Sequence, residues 1–489
     1  MKVFFVYMGA ENLGIEYLSA IAKEAGHETD LLFDPAVFSG HLMWDIPAVA
    51  KYFDLRKKIV RKILKEQPGV VAFSCFTGNY RWALSIAEEI KKEMPSIVTV
   101  FGGVHVTAVP EKVIDEPCVD VISVGEGDSV FAELLDRVER GAGLEGIPGV
   151  WHKRKGSIIK GADPETVRGL DDLPFPDKEL FYSRAPVLQK QYMIMSARGC
   201  PYNCTYCYKS LSAYCRPGEN PIRRRSVANV IEELEWAKGR WNVELVVFRD
   251  DVFTLNRKWL EEFSAEYKSR IDLPYFCYTH PAALNERSAD LIKMSGCRFV
   301  TLGIQSVDEK QRREVLNRKY TNEQVKETVK LLKDRKITVS VDHIIGIPGD
   351  NPARLKKAAE FYCELKPDRL LTFWLTYYPG TEIMDIAQKE GLIKESDRTR
   401  IESGESGHRY SGGGASCIDK EILKAPLLFA MIPVIPHKML KKLLSIKYEN
   451  ILPSGFIYHN ILLFINAIRI RDPFFFYNIR FFLSKKKVP

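Results

Sequence analysis

Cys200, Cys204 and Cys207 stand in the run RGCPYNCTYCY with the spacing CxxxCxxC. Three thiols on one eight-residue loop form a donor set for a soft metal. Structural zinc needs four closed ligands, and the nearest further thiol, Cys215, lies eight residues on in a basic loop with no paired spacing. An iron–sulfur cubane held by only three protein thiolates keeps one iron open to a small molecule. Tetrahedral zinc is the weaker of these two readings; the open iron is the one with chemical consequences.

Other small or polar residues gather where strands should end. Asn12 and Gly14, Ser74 and Thr77, Gly102, Gly103 and His105, and Gly125, Glu126 and Gly127 follow successive apolar runs, and ligands of open α/β sheets bind at such carboxyl ends. Further along come Asp250 and Asp251 in FRDDVFTLN, Gly303, Gln305 and Ser306 in TLGIQSV, and Arg318 in LNRKY. Each has a plain structural alternative: a helix N-cap pair for the two aspartates, a solvated charge for Arg318, and ordinary turns for Gly346 and Gly349 around Pro348. A dinucleotide fingerprint is missing, since MGAENLG rather than GxGxxG follows the first strand, and neither a Walker loop nor GxSxG occurs.

The elements that must carry these residues fall into four stretches. Residues 1–142 alternate short apolar runs (KVFFVYM, ETDLLF, GVVAFSCF, SIVTVFGG, VDVISVGEG) with helical patterns, which predicts a doubly wound, Rossmann-like parallel sheet. Residues 143–188 read as a linker with the hairpin-like GVWHKRKGSIIKG and the Pro-rich, acidic DDLPFPDKEL. Residues 189–385 repeat the βα rhythm, with strands at YMIMSA, ELVVFRDD, LPYFCYT, FVTLGIQ, TVSVDHIIGI and RLLTFWLTYY. Six such strands predict a partial (β/α)6 barrel rather than a closed eight-stranded one. Residues 386–489 lose that rhythm after a Gly/Ser-rich loop at 403–416, and predict a mainly helical segment.

The triad, with Tyr206 before its last Cys and at the first strand of a βα barrel, resembles the radical S-adenosylmethionine (SAM) enzymes. That resemblance implies a [4Fe-4S] cluster on Cys200, Cys204 and Cys207 whose open iron chelates the amino and carboxylate groups of SAM. One electron then cleaves the sulfonium to a 5'-deoxyadenosyl radical. It carries the methionyl end of SAM to Asp250 and Asp251, the ribose to Gly303, Gln305 and Ser306, although the family often has Glu where Gln305 stands, and a carboxylate to Arg318. HIIGIPGD (343–350) resembles the adenine-side strand, which leaves His343 as a strand-end or SAM-region residue, and YYPGTEI (377–383) resembles the last turn of the core. FGGVHVTAVPEKVIDE with VDVISVGEGDSVFAELLD resembles the cobalamin-binding domain that precedes the barrel in class B radical SAM methylases. The strand-end glycines then let backbone approach a flat macrocycle, and His105 becomes either a hydrogen-bond donor to it or a loop residue capping the helix at Pro110. DxHxxG, whose His ligates cobalt in many cobalamin proteins, is missing from the first domain, which implies cobalamin without a protein His on cobalt.

Composition bounds the rest. With 489 residues, 46% hydrophobic and 27% charged, the chain has room for about three domains and is neither a disulfide scaffold nor disordered. Ten Cys and an opening strand-like MKVFFVYM read as reduced thiols in the cytoplasm. Residues 421–489 hold 11 Lys/Arg against 3 Asp/Glu, leaving 60 of each over residues 1–420, so the net charge of +8 belongs to the tail. That tail also carries APLLFAMIPVIP, NILLFINAIRI and PFFFYNIRFFL, broken by Pro, Asn, His and Arg residues. A helical cap on the barrel is the first reading, and peripheral contact with the inner membrane face the second. Nucleic acid is not expected, because the charge follows no groove and no RNA-binding module is recognisable. The reading is a SAM- and cobalamin-dependent methylase acting on an unactivated carbon of a small or lipid-like substrate, fed by a flavodoxin- or ferredoxin-type reductant. A cyclase or rearrangement enzyme without methyl transfer is one alternative, and a non-catalytic corrinoid or Fe–S carrier or sensor the other.

Overall fold

The computed structural model describes residues 1–36, 51–211, 214, 221–405, 420–446, 448, 451–453 and 456–483. Cys215 and most of the Gly/Ser-rich loop lie outside the described residues.

The first sheet is built on β1 (Lys2–Met8), whose KVFFVYM is buried at every position after the first, the mark of a strand covered on both faces. It pairs in parallel with β2 (Glu28–Asp34) and β3 (Val70–Ser74); β4 (Val98–Gly102) and β5 (Val121–Ser123) follow, giving the order 2-1-3-4-5. This is a doubly wound order whose crevice opens where the connections diverge, between β1 and β3. The expected hairpin forms as β6 (Val150–Arg154) and β7 (Ser157–Ile159), but it is not a free linker. β6 pairs antiparallel with β5, so the hairpin completes the first sheet beyond residue 142. Val150 is fully buried in the same core as β1, and that burial supplies the reason.

The second sheet is parallel, open and six-stranded. In spatial order it runs β15 (Arg369–Trp374), β14 (Thr338–Ile345), β13 (Cys297–Gln305), β12 (Tyr275–Thr279), β11 (Leu245–Phe248) and β8 (Gln191–Ile194). Between β8 and β11 the chain forms a two-rung antiparallel ribbon, β9 (Ala197–Arg198) with β10 (Arg223–Arg224). Helices start where their caps allow: Asn12, Ser226, Asn256, Asp308 and Asn351 each accept from a backbone N–H in the first turn. The six strands are those the sequence predicts. The C-terminal cap is also realised, for Leu427, Leu428, Phe429, Leu440 and Leu444 join the core that covers the barrel wall. Beneath the barrel, Phe474 of the helix Pro473–Leu483 meets Phe276 at 4.5 Å and Phe299 at 6.3 Å. Phe481 of the same helix reaches Phe33 in the first sheet.

Candidate active site

The cysteine loop leaves β9 and returns through β10. The rungs Arg198↔Arg223 and Ala197↔Arg224 pin its two ends together. Gly199 begins it at φ +90°, where a Cβ would overlap the Pro221 carbonyl, so the close approach requires glycine. The far side of the loop is tied to the segments after β13 and β15. Thr205 Oγ1 donates to Val315 O at 2.6 Å, Asn317 Nδ2 donates to Asn203 O at 2.7 Å, and Ile383 N donates to Thr205 O at 3.0 Å. Tyr206 packs into an apolar cluster with Leu316, Ile344 and Ile383.

Cys204 is buried and Cys200 and Cys207 are half-buried. Burial pushes the Cys200 thiol up to about 12 and raises Cys207 as well. Metal binding by thiols in such surroundings therefore releases protons. Ligands of one ion must converge, and among the described residues the group whose ligand atoms lie within 4.8 Å of one another is His27, Asp136 and Glu139, not the three cysteines. Arg318 sits against this set. Its Nη1 donates to Cys204 Sγ and to Tyr206 Oη, both at 3.4 Å, its Nη2 to Gly303 O at 2.6 Å and its Nε to Tyr320 Oη at 3.3 Å. It is neither a solvated charge nor an open carboxylate receptor. Only 8% exposed, it spends its donors on the loop and on β13.

The strand ends of the barrel are held by buried polar networks. Asp250 is 1% exposed and accepts from Ser196 N at 2.7 Å and from Ser196 Oγ, with Arg224 Nη1 at 3.7 Å. It anchors the β8 terminus rather than facing the cleft. Asp251 pairs with Lys209 Nζ at 3.2 Å. Gln305 stands at φ +66° where the β13–β14 register shifts. Ser306 donates to Gln311 Oε1 at 2.7 Å, and Gln311 Nε2 donates to Pro348 O and Asp350 Oδ1. Asp350 in turn accepts from Gly346 N and Ile347 N, and burial pushes its carboxyl up to about 6. Ser306 thus locks two strand ends together instead of facing a ligand. Tyr202 stacks on His280 at 3.9 Å, and burial, with Arg318 and Arg312 adding to it, pushes that imidazole down to about 2. His343 lies inside β14 rather than at its end. It is buried against Tyr362 and Phe429, outside the cysteine site.

A cleft of about 240 Å3 joins the two sheets at their carboxyl ends. Ser74, Gly103, Gly125 and Gly127 line one side, with Gly14 in the first turn of the Asn12-capped helix; Cys200, Lys209 and Tyr214 line the other. Gly103 has φ +100°, and a Cβ there would lie 2.6 Å from Cys75 O, so its backbone must stay bare. Thr77 and His105 do not reach this cleft. Both are 1% exposed, and they pair through His105 Nδ1 and Thr77 Oγ1 at 3.2 Å, with the ring against Tyr80 at 4.4 Å. Burial pushes the His105 imidazole down to about 4, so it is a neutral core residue, neither a ligand donor nor a helix cap. Gly102 accepts from Cys75 N and lies behind Gly103. Glu126 lines the cleft but is held in place: Arg223 grips it at 2.6 and 2.7 Å, while Arg198 grips Asp128 at 2.9 and 3.0 Å. These two forks bind the ribbon to the first domain.

Arg198, Arg223, Asp128, Gln311, Arg312 and His280 were not among the expected site residues. The run RRR at 223–225 was the available signal, and by itself it reads as a solvated charge patch.

The sequence matches the radical SAM superfamily over residues 194–362 and the B12 binding domain over residues 6–135. An uncharacterised methyltransferase of Pyrococcus horikoshii is 29% identical over 390 residues, covering 78% of this chain and 79% of the relative. The anaerobic magnesium-protoporphyrin IX monomethyl ester cyclase of Rubrivivax gelatinosus is 26% identical over 405 residues, covering 78% of this chain and 68% of the relative. The solved structure of the cobalamin-dependent S-adenosylmethionine radical enzyme OxsB, with aqua-cobalamin and S-adenosylmethionine bound, superposes with a TM-score of 0.67 at 14% identity. That match covers 100% of this chain and 83% of that one, and shows a shared fold.

Proposed function

We propose that this chain, which belongs to the radical SAM superfamily and carries a B12-binding domain ahead of its barrel, is a cobalamin-dependent methyltransferase that acts on an unactivated carbon of a small molecule. The observation that carries this reading is the single cleft: the glycine-rich strand ends of the first sheet and the cysteine loop of the second share one cavity. When bound, the cluster with SAM supplies a carbon radical by one-electron cleavage, and cobalamin supplies the methyl carrier.

The chain's own residues divide the remaining work. Cys200, Cys204 and Cys207 hold the cluster, and Arg318 keeps Cys204 in place with a charge-assisted N–H on its sulfur. Tyr206 fixes the loop from below. Asp251 and Lys209 offer opposite charges for the amino and carboxylate ends of SAM, and Gln305, at φ +66°, offers its amide for the ribose, while the Gly303 carbonyl is taken by Arg318. Gly14, Gly103, Gly125 and Gly127 leave room for a flat macrocycle, and the N-terminus of the helix Leu13–Glu24 opens toward it. The paired forks Arg198–Asp128 and Arg223–Glu126 hold the two halves in register. The electron comes from a flavodoxin- or ferredoxin-type partner.

The test is anaerobic incubation of the iron- and sulfide-reconstituted protein with SAM, a reductant and cobalamin. Deoxyadenosine together with S-adenosylhomocysteine is the expected result. Deoxyadenosine without S-adenosylhomocysteine moves the reading to cyclisation or rearrangement, which the likeness to the Rubrivivax cyclase keeps in view. If neither product forms, the enzymatic reading is overturned in favour of a carrier or sensor.

A further inference from the structure

The barrel has a second end, and its chemistry is unlike that of the cleft. A cavity of about 540 Å3 opens at the amino ends of the strands, floored by Phe299, Phe474, Phe476 and Tyr477. Arg298, Lys336, Arg471 and Arg480 line it, all exposed, and none forms an ion pair among the described residues. The lining carboxylate, Glu244, is engaged by Lys190 at 2.5 Å. Elsewhere on this surface arginines find partners, as Arg369 does with Asp472. Four neighbouring cations left without anions repel one another, which is tolerable where an outside anion completes the site.

Beside the cavity runs the helix Phe456–Ile470. Its inner face is settled: Ala467 is buried, His459 Nδ1 meets Pro426 O at 3.1 Å, and Asn466 Nδ2 donates to Asp368 O at 3.1 Å. The opposite face presents Tyr458, Ile461, Ile465 and Ile468, spaced i, i+3, i+7, i+10, with Phe464 alongside, all 42–54% exposed. This stripe is continuous with the cavity, because Phe464 contacts Phe475 at 5.7 Å and Phe475 contacts Phe476 at 6.1 Å. Among the described residues no helix is long and apolar enough to cross a membrane. An apolar helical stripe bordered by unpaired cations fits a helix lying in the interface plane, with its apolar side chains among acyl chains and the cations on headgroup phosphates.

We propose that the amino-end face of the barrel is a docking surface for an anionic bilayer, seated by Tyr458, Ile461, Phe464, Ile465 and Ile468, with a lipid phosphate over Arg298, Lys336, Arg471 and Arg480. This goes beyond the catalytic reading and does not depend on it. The orientation follows from the fold. The cysteine loop lies at the opposite ends of the strands, so a docked molecule turns its cleft away from the lipid.

The test is flotation of the full-length protein with vesicles of phosphatidylcholine alone or mixed with phosphatidylglycerol. Association with the mixed vesicles, weakening as salt rises, is expected. Ile465→Glu with Ile468→Glu should abolish it, and Arg471→Ala or Arg480→Ala should each weaken it about fivefold, equivalent to about 1 kcal/mol. These residues are exposed, so the variants keep the wild-type circular dichroism and thermal midpoint. Overturning results are absence of flotation with anionic vesicles, flotation indifferent to all four substitutions, displacement by millimolar inorganic phosphate, or a dimer in solution that Ile465→Glu dissolves while flotation stays absent. Displacement would make the cavity a free-phosphate site, and the dimer would make the stripe a contact between copies of this chain.

Discussion

At the carboxyl ends of the barrel strands the buried charges are held by named partners: Asp250 by Ser196, Arg318 by Cys204 and Gly303, Asp350 by Gln311 and two backbone amides. At the amino ends aromatic rings seal the bore and four cations stand without an ion pair among the described residues. One sheet thus ends in two different ways. Ordered reactive groups require preorganised polar support, since a half-satisfied buried network costs more than an apolar one. A closed end needs apolar bulk only, and can spare its charges for the outside.

Four substitutions sharpen or break this contrast. The largest effect is expected at the carboxyl end: Cys204→Ala should remove most of the iron bound on reconstitution and lower deoxyadenosine formation by at least about a thousandfold, in keeping with loss of a group that the reaction requires. Iron analysis beside product assay checks both. Next comes Asp128→Asn, which leaves the half-buried Arg198 guanidinium short of its carboxylate and should cost about 2 kcal/mol of stability by urea denaturation, below the range for a fully buried pair. Limited proteolysis should then find the cysteine loop more open. Phe474→Ala removes the ring beneath the bore and should cost about 2 kcal/mol, below the range for a fully buried Phe because Phe474 is half-buried. Activity per folded molecule should stay unchanged. A comparable activity loss from Phe474→Ala would break the contrast between the two ends.

The smallest effect concerns pH. Burial lowers the imidazole of His105 to about 4 in the folded chain, against about 6.5 unfolded. At pH above 6.5 both states are neutral there and the group costs nothing. As pH falls from 6.5 toward 4, the unfolded state takes up the proton first, and stability drops by about 1.4 kcal/mol per pH unit from this group. His105→Asn, which can keep a bond to Thr77, should flatten the decline by that amount in urea midpoints measured at pH 7, 6 and 5. An unchanged slope would mean that the ring reaches solvent.

The strand series was legible because parallel strands covered on both faces read as apolar runs, KVFFVYM and the LVVF of β11 among them. The cysteine loop was legible because its spacing is rare and its chemistry narrow. Facing was not legible. Ser74 and Thr77, or Gly103 and His105, are near neighbours at a strand end, yet the helix that follows turns one toward the cleft and the other into the core. Asp250 and Asp251 divide in the same way, one buried under Ser196 and one beside Lys209. Glu126 looked like a ligand group because its partner, Arg223, is 97 residues away. The hairpin at 150–159 looked like a linker for a related reason, since its pairing with β5 is a tertiary contact that short-range pattern does not encode.

The β9–β10 ribbon has only two rungs, and each does more than one thing. Arg198 and Arg223 face each other across it, clasp the neck of the cysteine loop through their backbones, and reach into the first domain through their side chains. The cysteine hairpin and the seam between the halves of the molecule therefore share a fastening. A shift of one half along that seam at the ribbon therefore pulls on the neck from which the three sulfurs hang.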